Sequence, residues 1–231
     1  KEVVEAKNAG REVVIVSSGA IALGVQKLGY RTRPKEMAKL QAAAAAGQSV
    51  LMRLYEEAFA AHRIPVAQVL LTHEDLEHHE RHLAARNTLV TLLKHGVVPI
   101  INENDAVSST ELKFGDNDKL SALVASLLPS DLLVILTTVD GVLENFGTPQ
   151  ARVLPVVERI DDSVEGIAQG TLSPTAVGGM ATKIQAAKIV TRSGIPLVIA
   201  SGHKPGVLAA ICTGAEEGTL FIPQPSRLPG R

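Results

Sequence analysis

Two short polar segments combine the residue types that grip a charged ligand. Asn102-Glu103-Asn104-Asp105 follows the apolar run Val97-Val98-Pro99-Ile100-Ile101, and Gly115-Asp116-Asn117-Asp118 precedes an apolar helical stretch. The end of a buried strand and the start of a helix are where open α/β proteins hold ligands. Carboxylate and amide oxygens in the first segment suit a ligand ammonium, while a solvated loop rich in turn formers uses the same residues. The second segment is equally a glycine turn followed by helix caps. Asp118 acquires a mechanistic role if lysines surround it, because a carboxylate can hold cationic side chains in place without attacking anything.

Two further segments suit anions. Ser17-Ser18-Gly19-Ala20 follows an apolar run and precedes a helical stretch, so its hydroxyls and backbone N–H groups face an incoming carboxylate or phosphate. The alternative is a plain strand-to-helix turn with Ser18 as N-cap. Val25-Gln26 stand where a P-loop requires Lys and Ser or Thr, and no G-x-G-x-x-G fingerprint occurs. Gly178-Gly179-Met180-Ala181-Thr182-Lys183 opens a helix expected to run to Arg192. Glycines allow close backbone approach, the helix N-terminus supplies partial positive charge, and Lys183 adds a full one. That combination suits a transferring phosphoryl group, whereas a glycine turn with a surface lysine is the plainer account.

Other chemistry is less favoured. His73, His78, His79 and His82 sit among Glu74, Asp75, Glu77, Glu80 and Arg81 without an H-E-x-x-H spacing, and read as a solvated helix face, so no metal site is expected. Cys212, the single cysteine, lacks an activating neighbourhood and reads as a small buried apolar residue. One cysteine excludes an internal disulfide and points to a reducing, cytoplasmic setting.

The elements that must position these residues follow from apolar periodicity. Short runs rich in β-branched residues at 12–16, 64–71, 97–101, 132–137 and 196–200 alternate with helical stretches. Such alternation predicts an α/β fold, a three-layer α/β/α sandwich with a mainly parallel sheet. After Asp118, Leu120, Leu123, Val124, Leu127 and Leu128 form one apolar helical stripe. Residues 38–62 are helical in pattern, and Ala42 to Ala46 reads as tight helix packing. With 231 residues, 45% hydrophobic, the chain can bury one sizeable core. A net charge of -1 supplies no positive field for nucleic acid or an anionic membrane, and no apolar run reaches the length of a membrane span. The start at Lys1 reads as the last turns of a helix ending at Gly10, and Pro223 to Arg231 reads as a linker. The expected organisation is one domain over 1–222, truncated at its N-terminus, and a linker-like tail over 223–231.

Taken in order, the four polar segments resemble the signatures of the glutamate 5-kinases, in the amino-acid kinase superfamily. The resemblance runs from about Gly10 to Pro223, and extends to residues 68–72, Ala85-Arg86-Asn87-Thr88-Leu89 and 201–207. It implies an amino-acid kinase fold and transfer of the ATP γ-phosphoryl group to the side-chain carboxylate of L-glutamate, the first step toward proline. It places Ser18, Gly19, Ala20, Asn102, Asp105, Asp116 and Asn117 on glutamate. Thr137, Thr138, Val177, Gly178, Gly179, Met180, Ala181, Thr182 and Lys183 fall on nucleotide-contacting positions. Asp118 matches the aspartate that organises catalytic lysines, and Lys183 the lysine that stabilises the moving phosphoryl group. Magnesium carried with the nucleotide, proline as feedback inhibitor and a homo-oligomer are implied in the same way.

The chain departs from the family at three places. The opening strand with its lysine is absent, Thr138 stands where an aspartate is usual, and Leu143-Glu144-Asn145-Phe146 replaces a tyrosine-containing stretch ending in Asp-Pro. Many family members also carry a C-terminal PUA domain, and the linker-like tail stops before one would begin. These departures leave two other readings: a non-catalytic glutamate-binding or regulatory module, and a superfamily kinase with a different acceptor.

Overall fold

Parallel strands need crossover helices, and each of the five apolar runs contributes a strand with helix between it and the next in the chain. A computed structural model describes residues 1–107, 117–169 and 179–224. Gly115, Asp116, Val177, Gly178 and the tail from 225 onward lie outside the described residues. The described residues fall into two compact units, one carrying Lys1 and Val3–Asn117, the other Glu2 and those from Asp118 on.

The first unit contains α1 (Glu2–Asn8), β1 (Ile15–Val16), α2 (Ala20–Lys27), α3 (Met37–Ala60), β2 (Val66–Leu71), α4 (His73–Glu77), α5 (His79–Lys94) and β3 (Val98–Glu103). Its sheet has the order β1-β3-β2 and is parallel throughout, with Val16 opposite Ile101 and Leu71 opposite Glu103. All three strands therefore end at one edge, which delivers residues 17–19, 72–73 and 104–105 to the same side. Val98 and Ile100 on β3 pack with Val4, Met52 and Phe59 from α1 and α3.

Helices α2 and α3 meet at backbone contact. A Cβ on Gly24 would collide with the carbonyl of Ala43, and one on Gly47 with the carbonyl of Ala20. Ala43 and Ala44 are buried with Ile21 and Leu40. The small residues of α3 thus allow close helix packing, as expected for the alanine run. This packing sets Ala20 against Gly47, the chain neighbour of Gln48, and Ala20 and Gln48 line one cavity.

The second unit contains α6 (Asn117–Leu127), whose first residue belongs to the first unit, then β4 (Leu133–Thr137), β5 (Leu143–Glu144), β6 (Arg152–Val153), β7 (Val156–Val157), α7 (Asp162–Gln169), α8 (Met180–Arg192), β8 (Leu197–Ser201), α9 (Val207–Cys212) and β9 (Thr219–Phe221). The sheet order is β4-β8-β9-β7, with β4-β8 and β7-β9 parallel and β8-β9 antiparallel; β5 and β6 form a separate antiparallel pair. Leu120, Val124, Leu127 and Leu128 of the expected stripe are buried. Ile184, Ala187 and Val190 of α8 pack with Leu197, Ile199 and Phe221 of the sheet. The expectation of an α/β fold with mainly parallel sheets holds. No described helix is long and apolar enough to cross a membrane.

Two local expectations are corrected. Strand β3 continues through Asn102 and Glu103, which were expected in a loop; the ladder with Leu70 and Leu71 holds them in the sheet, and both are buried. The histidines do not form one solvated helix face, because Thr72 and Asp75 close a capping box that starts the separate short helix α4. His73 then faces Glu103, with Nδ1 3.4 Å from Oε1, and His82 Nδ1 lies 3.1 Å from the carbonyl of Leu76.

Candidate functional site

In the first unit the strand ends assemble a network of amides. Asn102, 2% exposed, donates from Nδ2 to Gln48 Oε1 at 3.0 Å, and its Oδ1 accepts from the Glu103 backbone N–H at 2.9 Å. Asn117 Nδ2 lies 3.0 Å from Asn102 Oδ1, 3.2 Å from the Ser17 carbonyl and 2.6 Å from Ser18 Oγ. Tyr55 donates to Ser17 Oγ at 2.8 Å. Ser18 is not the N-cap expected as its plainer role. Gly19 takes that position at φ 112°, a left-handed conformation that disfavours side chains, and no side chain caps α2. The backbone N–H groups that begin α2, next to the buried Ala20, consequently lack a capping side chain.

Buried polar atoms normally find partners, so exceptions mark places built for something else. Five buried side-chain atoms have no partner among the described residues: Gln48 Nε2, His73 Nε2, Glu103 Oε2, Asp105 Oδ1 and Asn117 Oδ1. All five belong to this one unit. Gln48, Glu103, Asn104 and Asp105 line a single cavity with Ala20 and Ala44. Asp105 is 6% exposed, and burial, with the neighbouring Glu103 charge, pushes its carboxyl up to about 6 against the opposing pull of Arg33. A ligand cation would relieve both causes of that shift.

The second unit builds a different arrangement. Asp118 Oδ2 accepts from Lys183 Nζ at 2.9 Å and from Thr182 Oγ1 at 2.6 Å, and Lys183 is 8% exposed. Ser121 Oγ holds the Asp118 carbonyl at 2.7 Å. Helix α8 starts after an extended Gly179 with no side-chain cap, so Met180 and Ala181 offer their N–H groups beside Lys183. Thr137 ends β4 opposite Ser201, its carbonyl accepts from Gly202 N–H at 2.8 Å, and Thr138 is exposed in the bend beyond. Among the described residues no group of three or more His, Cys, Asp or Glu side chains could hold a metal.

The structure thus joins Ser18, Asn102 and Asn117 directly, places Asp105 beside the same network, and joins Asp118 with Thr182 and Lys183. Asp116, Val177 and Gly178 lie outside the described residues. Sequence reasoning missed Gln48, Tyr55 and the His73–Glu103 pair. Gln48 lies on the alanine-rich helix α3 itself, and nothing local in the sequence set it apart, because its partner Asn102 is 54 positions away.

This architecture is that of a known kinase class. The model of the Amino acid kinase family matches residues 1–201, and the chain belongs to that family. It is 51% identical over 226 residues to the glutamate 5-kinase of Myxococcus xanthus, covering 96% of this chain and 59% of that protein. To the glutamate 5-kinase of Moorella thermoacetica it is 47% identical over 229 residues, covering 98% and 61%. The chain therefore spans about three fifths of the length of these curated relatives. Among solved structures, a carbamate kinase from Giardia lamblia bound to AMP-PNP shares the fold, with TM-score 0.63, 20% identity and coverage of 96% of this chain and 87% of that one.

Proposed function

We propose that this chain carries the catalytic part of a glutamate 5-kinase, which transfers the γ-phosphoryl group of ATP to the side-chain carboxylate of L-glutamate and releases L-glutamyl 5-phosphate and ADP. The observation that carries this reading is the convergence of unpartnered acceptors, Asp105 Oδ1 and Asn117 Oδ1, with an uncapped helix start at Gly19 and Ala20. Acceptors suit an ammonium, and free N–H groups suit a carboxylate. The similarity to glutamate 5-kinases supports the same substrate.

In this reading Ser18, Gly19, Ala20, Asn102, Asp105, Asp116 and Asn117 hold glutamate. Thr137, Thr138, Val177, Gly178, Gly179, Met180, Ala181 and Thr182 contact ATP, which brings its own magnesium. A carboxylate is ionised at neutral pH, so the reaction needs no general base. Its barrier comes from bringing two anions together, and positioning with preorganised positive charge lowers it. Lys183 supplies that charge to the moving phosphoryl group, and Asp118 with Thr182 keeps its ammonium in place. Proline feedback and a homo-oligomer enter the proposal from the resemblance alone, and a cytoplasmic setting from the single cysteine.

Calorimetric titration with L-glutamate, followed by ADP release from Mg-ATP with glutamate, aspartate, N-acetylglutamate or carbamate, tests the reading. Turnover with another acceptor but not glutamate overturns the substrate. Glutamate binding without ADP release would favour a binding module instead.

A further inference from the structure

Backbone groups fix the orientation of the amide network, and this decides what its free ends can do. The Glu103 N–H can only donate, so the Asn102 atom 2.9 Å from it is the amide oxygen. The other Asn102 atom is then Nδ2, a donor, and the Gln48 atom 3.0 Å from it is the oxygen. What remains of Gln48 is Nε2, a donor without a partner, on a side chain 7% exposed that lines the cavity with Asn104 and Asp105. The same reasoning from the Ser17 carbonyl makes the bonded Asn117 atom nitrogen and leaves its Oδ1 as a free acceptor.

One relay, Gln48–Asn102–Asn117, therefore presents a donor at one end and an acceptor at the other, both locked by main-chain groups. An α-amino acid carries an acceptor carboxylate and a donor ammonium on a single carbon. We infer that Gln48 is a specificity residue whose Nε2 binds the α-carboxylate of the amino-acid substrate, while Asn102 acts as the positioning residue that aims it. The inference rests on the proposed glutamate site and adds a contact absent from the motifs that suggested that site. Burying a donor without a partner is unfavourable, and a charged acceptor compensates it best. The relay thus selects ligands that carry a carboxylate beside the ammonium.

The test compares L-glutamate with 4-aminobutyrate, which keeps the ammonium and the distal carboxylate but lacks the α-carboxylate. Affinities of the intact chain are measured by calorimetry or competition. Gln48→Met keeps the volume and removes the donor together with the oxygen that accepts from Asn102 Nδ2. It is expected to weaken glutamate roughly 10- to 100-fold, as for a buried hydrogen bond to a charged group, and to leave 4-aminobutyrate within about twofold of the wild type. Unchanged melting checks folding. Gln48→Glu, which keeps the acceptor toward Asn102 but sets a carboxylate against the ligand, is expected to weaken glutamate further. A crystal structure of the glutamate complex supplies a direct reading, with an α-carboxylate oxygen expected about 3 Å from Nε2. Equal losses for both ligands, or a water in place of the carboxylate at Nε2, overturn the inference. Undiminished glutamate binding by Gln48→Met removes this inference alone, whereas a wild type that binds no glutamate removes the underlying reading with it.

Discussion

The amide network of the first unit and the lysine pair of the second differ in how far they satisfy themselves. Around Asn102 the side chains bind one another and still leave five buried polar atoms without partners. Around Asp118 the carboxylate is occupied by Lys183 and Thr182, and no buried orphan falls in that unit among the described residues. An unsatisfied network lowers its free energy when a ligand of matching polarity arrives. A satisfied pair gains nothing comparable from a ligand, and instead keeps a charge at a fixed point. The first arrangement is therefore suited to recognition and the second to stabilising charge that develops during transfer. Asn117 and Asp118 are consecutive in the chain, so α6 begins with one residue of each kind.

Substitutions in the two units are expected to separate into turnover and affinity effects. The largest effect is expected from Lys183→Met. Removing one preorganised charge typically costs on the order of a hundred- to a thousandfold in kcat, with glutamate affinity by calorimetry nearly unchanged. A parallel loss of glutamate affinity would break the comparison. Asn117→Ala removes the hub that reaches Ser17, Ser18 and Asn102, and is expected to raise the glutamate KM by about 10- to 100-fold with a smaller change in kcat.

A pH series sharpens the same contrast. A ligand ammonium needs Asp105 ionised, and its carboxyl titrates near 6. Glutamate affinity should therefore fall below about pH 6, approaching tenfold per unit, while the glutamate side chain remains ionised. Asp105→Asn should flatten that profile. In the free protein the sign is opposite. A carboxyl raised from 3.8 to about 6 costs no stability below the lower value, and its cost grows as pH rises through the higher one. Asp105→Asn is expected to stabilise the free protein near pH 7 by roughly 2–3 kcal/mol, measured by denaturant unfolding. The smallest functional effect is expected from Gly47→Ala. Its methyl group meets the Ala20 carbonyl, so unfolding free energy should fall by about 1–3 kcal/mol and glutamate affinity severalfold, with little change at Lys183.

Much of this was legible in the residues themselves. Strand positions followed from short β-branched runs, and the stripe from Leu120 to Leu128 marked α6, because period and composition are local properties. The alanines of α3 correctly announced close packing. The end of β3 was misjudged because Asn102 and Glu103 have poor strand propensity, yet their ladder partners Leu70 and Leu71 hold them in the sheet. His73 looked like one of several surface histidines until the capping box at Thr72 turned it toward Glu103. Gln48 was invisible because the residue that orients it lies 54 positions away.

The sequence by itself determined the alternation of elements, the composition of the polar segments and their order, all of which depend on residue type and near neighbours. Only the tertiary structure decided which polar atoms are paired and which are left free. That distinction depends on burial and on partners distant in the chain, as the 65 positions between Asp118 and Lys183 illustrate. Two segments read as similar turn-forming stretches thereby became an unsatisfied binding network and the carboxylate that holds a lysine.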